Sequence, residues 1–197
     1  MTKDMVAITK NTAGMTKNKL SLGNIRTTHL LAQSQPLNKD MKMECTVTWT
    51  GAAGTRSGMG FVAETGSGHI VNMDGAPDAA KPENGGQNLA PRPMELLLAG
   101  TGGCTAYDVV LILKRGRHAV EGCSVKLTSE RAGTDPKVFT QIHMHFTVKG
   151  RNLPASAVER AIAMSHDKYC SASIMLAKTA AITTSFEVIE VGAAASA

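Results

Sequence analysis

The chain has 197 residues, 43% of them apolar, enough for one domain with a substantial core. Its formal charge of +5 sits mostly at one end, because residues 1–40 carry six basic residues against Asp4 and Asp40 and leave a surplus of one for the rest. With only 4% aromatic residues and no basic surplus beyond residue 40 to speak of, a nucleic-acid partner is excluded.

Residues 1–40 are polar and lack sustained periodicity, so they are expected to be a flexible extension outside the fold. They contain no apolar run of the secretory kind, and a cytoplasmic location is expected. The pattern changes at Met43, and the domain is placed at 41–191, followed by a disordered tail at 192–197. Cys45, Val47 and Trp49 alternate with Glu44, Thr46 and Thr48, which predicts a half-buried strand. A turn over 51–58 contains Arg56. Strands are predicted over 61–64 and 69–73, giving an N-terminal β-meander. Residues 74–89 read as a surface loop. Within it Gly85-Gly86-Gln87 resembles the tripeptide of peptide-release factors, but two glycines in three residues are read as a turn.

The stretch PRPMELLLAGTGGCTAYDVVLILKRGR at 91–117 organises the rest. Leu96, Leu97, Leu98 and Val109 to Leu113 point all round a helical wheel, so this helix must be buried in a larger protein or a dimer. Thr101, Gly102, Gly103, Tyr107 and Asp108 interrupt it too often for a membrane span. A break or bend is expected at Gly102-Gly103, with Cys104 in the first turn of the restarted helix. Lys114 and Arg115 complement the dipole of the last turn, and Gly116 is expected to take the left-handed cap.

Further on, a strand over 122–129 places Cys123, Val125 and Leu127 on one face. A second strand alternates Val138, Thr140, Ile142, Met144, Phe146 and Val148 against Phe139, Gln141, His143 and His145. Two histidines at i, i+2 can ligate a metal, but no third ligand has a claim, and they are read as solvent-facing. Pro154 opens a helix whose buried stripe is Val158, Ala161, Ile162 and Ser165. A short helix after Cys170 and a strand through Ile182, Thr184, Phe186 and Val188 complete an α+β pattern.

None of the four cysteines shares C-x-x-C spacing, which speaks against a thioredoxin motif or a zinc ribbon. Cys45 and Cys123 are read as inert core residues. Cys104 and Cys170, both at helical junctions, stay open between that role and a reactive pair, one oxidised to a sulfenic acid and the other condensing with it. A Cys–His hydrolase would need a histidine against Cys104, and neither His118 nor His166 is well placed.

The run PRPMELLLAGTGGCTAYDVV at 91–110, with KYCS at 168–171 and VKLTSER at 125–131, resembles the OsmC/Ohr family and its YhfA-like branch most closely. The resemblance implies an OsmC-like α+β fold in which two chains intertwine as a homodimer around long buried central helices. It implies a thiol peroxidase for organic hydroperoxides, with no metal and no cofactor, reset by an external dithiol. Cys104 then matches the peroxidatic cysteine and Cys170 the resolving one. Glu95 matches a glutamate that pairs with an activating arginine, for which Arg56 is the candidate and Arg92, Arg115 and Arg117 are substitutes. Leu96, Leu97 and Val109 would line the substrate pocket. In an unbroken helix Glu95 and Cys104 would lie about 13.5 Å apart along the axis on opposite faces. The glycine break, a bridging arginine or a partner chain would then be needed.

Overall fold

The structure is a computed structural model that describes residues 42–51 and 58–192. The expected extension at 1–40, Arg56, and the tail beyond Gly192 lie outside the described residues.

The described residues form two three-stranded sheets, and these differ in how much they bury. In the first, β1 (Cys45–Trp49) pairs antiparallel with β2 (Phe61–Thr65), and β2 with β3 (Ile70–Met73). The β2–β3 connection closes through a hydrogen bond from the Gly68 N–H to the Thr65 carbonyl. Gly68 has φ +81, where a Cβ would be strained. The predicted alternation makes β1 a strand, but it buries neither face. Every β1 residue is exposed, Cys45 included, so the expectations of a half-buried strand and a core Cys45 do not hold within one chain.

The second sheet has the order β4-β5-β6. β4 (Ala119–Arg131) and β5 (Phe139–Arg151) run antiparallel, whereas β6 (Ala181–Glu190) lies parallel to β5. A parallel neighbour needs a crossover, and α2 (Ala155–Met164) and α3 (Ser171–Leu176) supply it. The β4–β5 register shifts at Thr140, which has no partner opposite it. That extra residue reverses the expected alternation: Phe139 is buried and Val138 exposed. Beyond it the predicted face returns, with Ile142, Met144, Phe146 and Val148 packed against Val109, Leu113, Val158, Ala161 and Ile162.

The predicted central helix is α1 (Pro93–Arg115), and it is unbroken. Its N-terminus is closed by Glu95, whose carboxylate accepts the Arg92 backbone N–H at 2.9 Å. Glycine at 102 serves packing instead of a break, since a Cβ there would come within 2.6 Å of Leu127 Cδ1 on β4. The buried hydroxyls of Thr101 and Thr105 donate to the carbonyls one turn back, at 2.7 and 2.8 Å. At the other end Gly116 stays right-handed, and Arg117 takes the left-handed position with φ 61. The helix buries a stripe through Thr101, Gly102, Thr105, Val109 and Leu113 and leaves its other side open. At 23 residues and mean hydropathy 1.7, α1 is long and apolar enough to cross a membrane. Its packing against β4, β5 and α2 instead makes it the core helix of this fold.

The 74–89 loop is ordered around one carboxylate. Asp74 accepts backbone N–H bonds from Gly75, Gln87 and Leu89 at 2.7–3.0 Å. The turn expected at Gly85-Gly86-Gln87 falls just ahead of it, at Pro82–Asn84; Gly85 is extended, and Gly86 lies so close to the Gly75 backbone that no Cβ fits between them.

Candidate functional site

Cys104 lies in the middle of α1, and Asp108 follows it one turn later on the same face. The opposing wall comes from the end of α2, where residues Ser165–Tyr169 open into a π turn. The Cys170 N–H closes that turn on the Ser165 carbonyl at 2.8 Å, and Cys170 becomes the N-cap of α3. The result brings the sulfurs of Cys104 and Cys170 and a carboxylate oxygen of Asp108 within 4.8 Å of one another. Cys170 is fully buried, Cys104 and Asp108 partly so. Both cysteines are free thiols.

Backbone and hydroxyl groups hold the trio in place. The Ser173 N–H donates to Cys170 Sγ at 3.4 Å, and the Ala172 N–H donates to the Cys104 sulfur. Ser165 Oγ donates to Asp108 Oδ2 at 3.0 Å. Burial is the main force raising the Cys104 thiol above its ordinary range, followed by its hydrogen bond with Cys170. The Ala172 N–H pulls the other way, while the nearby charge of Asp108 adds to the rise. The expected restart of the helix at Cys104 does not occur, so no free first-turn N–H groups of α1 face its sulfur. The N–H groups that reach it belong to α3.

The OsmC-like protein family profile matches residues 85–185, a span holding all three members of the cluster. Protein YhfA of Escherichia coli strain K12 is 46% identical over 147 residues, covering 75% of this chain and 98% of that protein. The chain belongs to the OsmC-like family. A hypothetical protein from Aquifex aeolicus has the same fold with TM-score 0.62 at 25% identity, over 77% of this chain and 98% of that one. So does an organic hydroperoxide resistance protein OsmC from Legionella pneumophila, with TM-score 0.54 at 18% identity over 76% and 97%. The α+β architecture expected from the resemblance is thus the OsmC-like fold.

Of the other residues expected at an OsmC-like site, Glu95 stands apart. With α1 unbroken, its nine-residue separation from Cys104 remains, and the two do not share a site within one chain. Glu95 instead lines a cavity of about 470 Å³ with Asp74, Arg92, Met94, Leu98 and Arg131. The three pocket residues do not converge either. Val109 is wholly buried in the core, Leu96 is half-buried, and Leu97, at 50% exposure, is the one that shares the face of Cys104 two turns earlier. Arg56 lies outside the described residues.

Sequence reasoning passed over Asp108 and Ser165. The signal for Asp108 was its i, i+4 spacing from Cys104; nothing local links Ser165 to it, 57 residues away. The cluster contains no histidine, so the Cys–His alternative gains nothing. His143 and His145 point outward from β5 and are held by hydroxyls of β6. His143 lies 2.8 Å from Thr183 Oγ1 and 2.9 Å from Ser185 Oγ, and His145 lies 2.8 Å from Ser185 Oγ. Cys123 is half-buried on β4, and burial raises its thiol as well.

Proposed function

We propose that the chain is a homodimeric thiol peroxidase for organic hydroperoxides. The Cys104 sulfur attacks one oxygen of ROOH, the O–O bond breaks, ROH leaves with a proton, and Cys104 becomes a sulfenic acid. The Cys170 sulfur then attacks the Cys104 sulfur, water departs, and a disulfide remains. An external dithiol reduces it. The observation that carries this reading is the pair of sulfurs within 4.8 Å, the accessible one on a rigid helix and the buried one on a π turn. A disulfide needs the sulfurs about 2.05 Å apart, so the proposed step draws the two sulfurs together.

The homodimer is supported by what one chain leaves uncovered. Leu97 and Tyr107 on α1 are 50% and 69% exposed, and Val47 and Trp49 on β1 about half. A cation is also required, since the surroundings of Cys104 within the described chain favour the neutral thiol. Arg56 is the proposed source, in its own or the second chain. Arg56→Ala should slow peroxide consumption by about ten-fold or more, the worth of a charge-assisted hydrogen bond.

Mixing reduced protein with an organic hydroperoxide for a single turnover, followed by peptide mapping, tests the reading. Rapid formation of a Cys104–Cys170 disulfide, abolished by Cys104→Ser, is expected. Thiols reacting no faster than free cysteine would sink it. The raised Cys104 thiol favours a second reading, an OsmC-like dimer that binds a small ligand without turnover. The pH profile of Cys104 alkylation in the full-length protein separates the two. Reaction at neutral pH supports the peroxidase, and reaction only in alkali supports the binding protein.

A further inference from the structure

We propose that Cys104, Asp108 and Cys170 form an open, three-ligand site for a soft divalent cation of the zinc type. A tetrahedral zinc with sulfur bonds of about 2.3 Å places its ligand atoms about 3.8 Å apart. The three donors already lie within 4.8 Å of one another, so each needs to move inward by less than about 1 Å to enclose a cation. Two of them are fixed by one turn of α1, and the third caps α3. Two sulfurs in a set of three select zinc or cadmium over magnesium and calcium, which take oxygen ligands.

Outer partners are also in place. Ser165 Oγ donates to Asp108 Oδ2 and fixes the orientation of the carboxylate beside the two sulfurs. The Ser173 and Ala172 N–H groups point at the two sulfurs and stabilise them as thiolates once a cation replaces their protons. Three protein ligands leave the fourth position for water or a small molecule, the arrangement of an open site. The inference stands on the cluster and not on peroxide chemistry.

One consequence does rest on the peroxidase reading. Cation and peroxide would compete for the same sulfurs. Oxidation of the loaded pair, Zn(S-Cys)2 + ROOH + 2 H+ → Zn2+ + Cys-S-S-Cys + ROH + H2O, would release the metal as the disulfide forms.

The test uses reduced, full-length Cys45→Ser/Cys123→Ser protein, which removes the two cysteines outside the cluster. Titration with Co2+ should give a sulfur-to-cobalt charge-transfer band that saturates at one equivalent per chain and is bleached by one equivalent of Zn2+. Adding Cys104→Ser or Cys170→Ser should roughly halve the band and weaken binding by at least about ten-fold. Asp108→Asn, which keeps both sulfurs, should retain the band but weaken binding to a similar degree, and circular dichroism would verify that each variant is folded. Absence of the band at one equivalent, or unchanged affinity in both Cys104→Ser and Asp108→Asn, overturns the site. Cobalt binding without peroxide turnover upholds it while removing the peroxidase reading; turnover without cobalt binding does the reverse.

Discussion

The two sheets of this OsmC-like chain are built from similar sequence patterns and meet different fates. β4–β6 carries Ile142, Met144, Phe146 and Val148 into a core closed by α1 and α2. β1–β3 has the same alternation, yet leaves Val47, Trp49 and Ile70 about half exposed or more. Alternation encodes which residues share a face; whether that face is covered depends on a second layer, and the described residues supply such a layer for β4–β6 alone. α1 sits between these situations, buried along one stripe and open along the other. The all-round apolar wheel is thus explained only in part by the single chain.

The sharpest way to break this comparison is to cut both sheets at an aromatic residue. Phe146, 1% exposed, is surrounded by core side chains, and Phe146→Ala should cost about 3–5 kcal/mol at any protein concentration. Trp49 is 49% exposed, and within the described chain its clearest tie is the Nε1–H bond to the Gly58 carbonyl at 2.9 Å. Without a covering partner, Trp49→Ala should cost only about 0.5–1.5 kcal/mol, the worth of that bond. In the proposed dimer, the wild-type unfolding midpoint should rise with concentration and Trp49→Ala should flatten that rise. Denaturant titration at two concentrations a hundred-fold apart separates the outcomes. A concentration-independent wild type would remove the dimer.

How much of this was legible in the sequence follows the range of the interactions involved. The α2 stripe through Val158, Ala161, Ile162 and Ser165 is buried as its spacing predicts, because helical periodicity is local. The inversion at Phe139 was hidden, because a bulge at Thr140 is a property of the β4–β5 pairing and not of β5 alone. The unbroken α1 was misread for a related reason. Gly102 looks like a helix breaker until Leu127, 25 residues on, is seen to need its space. At the site, the motifs named both cysteines. Their closeness depends on the π turn, however, and Ser165 reaches Asp108 only through the packing of α2 on α1.

A smaller effect probes the link between β3 and α1. Backbone N–H groups of Leu89, Gly75, Gln87 and Asn88, that of Leu89 foremost, hold the Asp74 carboxyl below its usual 3.8 against the opposing effect of burial. A depressed carboxylate contributes stability that is fully present above the unfolded value and is lost as pH falls through the folded one. Wild type should therefore exceed Asp74→Asn in thermal midpoint at neutral pH, with the gap closing as pH drops below about 3.8. A gap that persists unchanged at pH 2 would mean that Asp74 acts through its shape and not its charge.

The smallest expected change bears on the open side of α1. Gly103 is exposed, and a Cβ built there meets nothing within 4 Å. In a lone chain Gly103→Ala should stabilise the helix by about 0.5–1 kcal/mol, since alanine loses less backbone freedom than glycine. The neighbouring surface is formed by Tyr107, Val110 and Leu111, which line a shallow apolar hollow of about 420 Å³ together with Gly103. If a second chain packs closely on that surface, the added methyl falls in the interface, and the same substitution should weaken association instead of stabilising the fold. The sign of the change in unfolding midpoint, read alongside sedimentation of the same sample, distinguishes the two. A stabilised monomer would make Gly103 a simple interruption in a solvent-facing helix. A destabilised variant that dissociates more readily would place the second chain against this face of α1, one residue from Cys104.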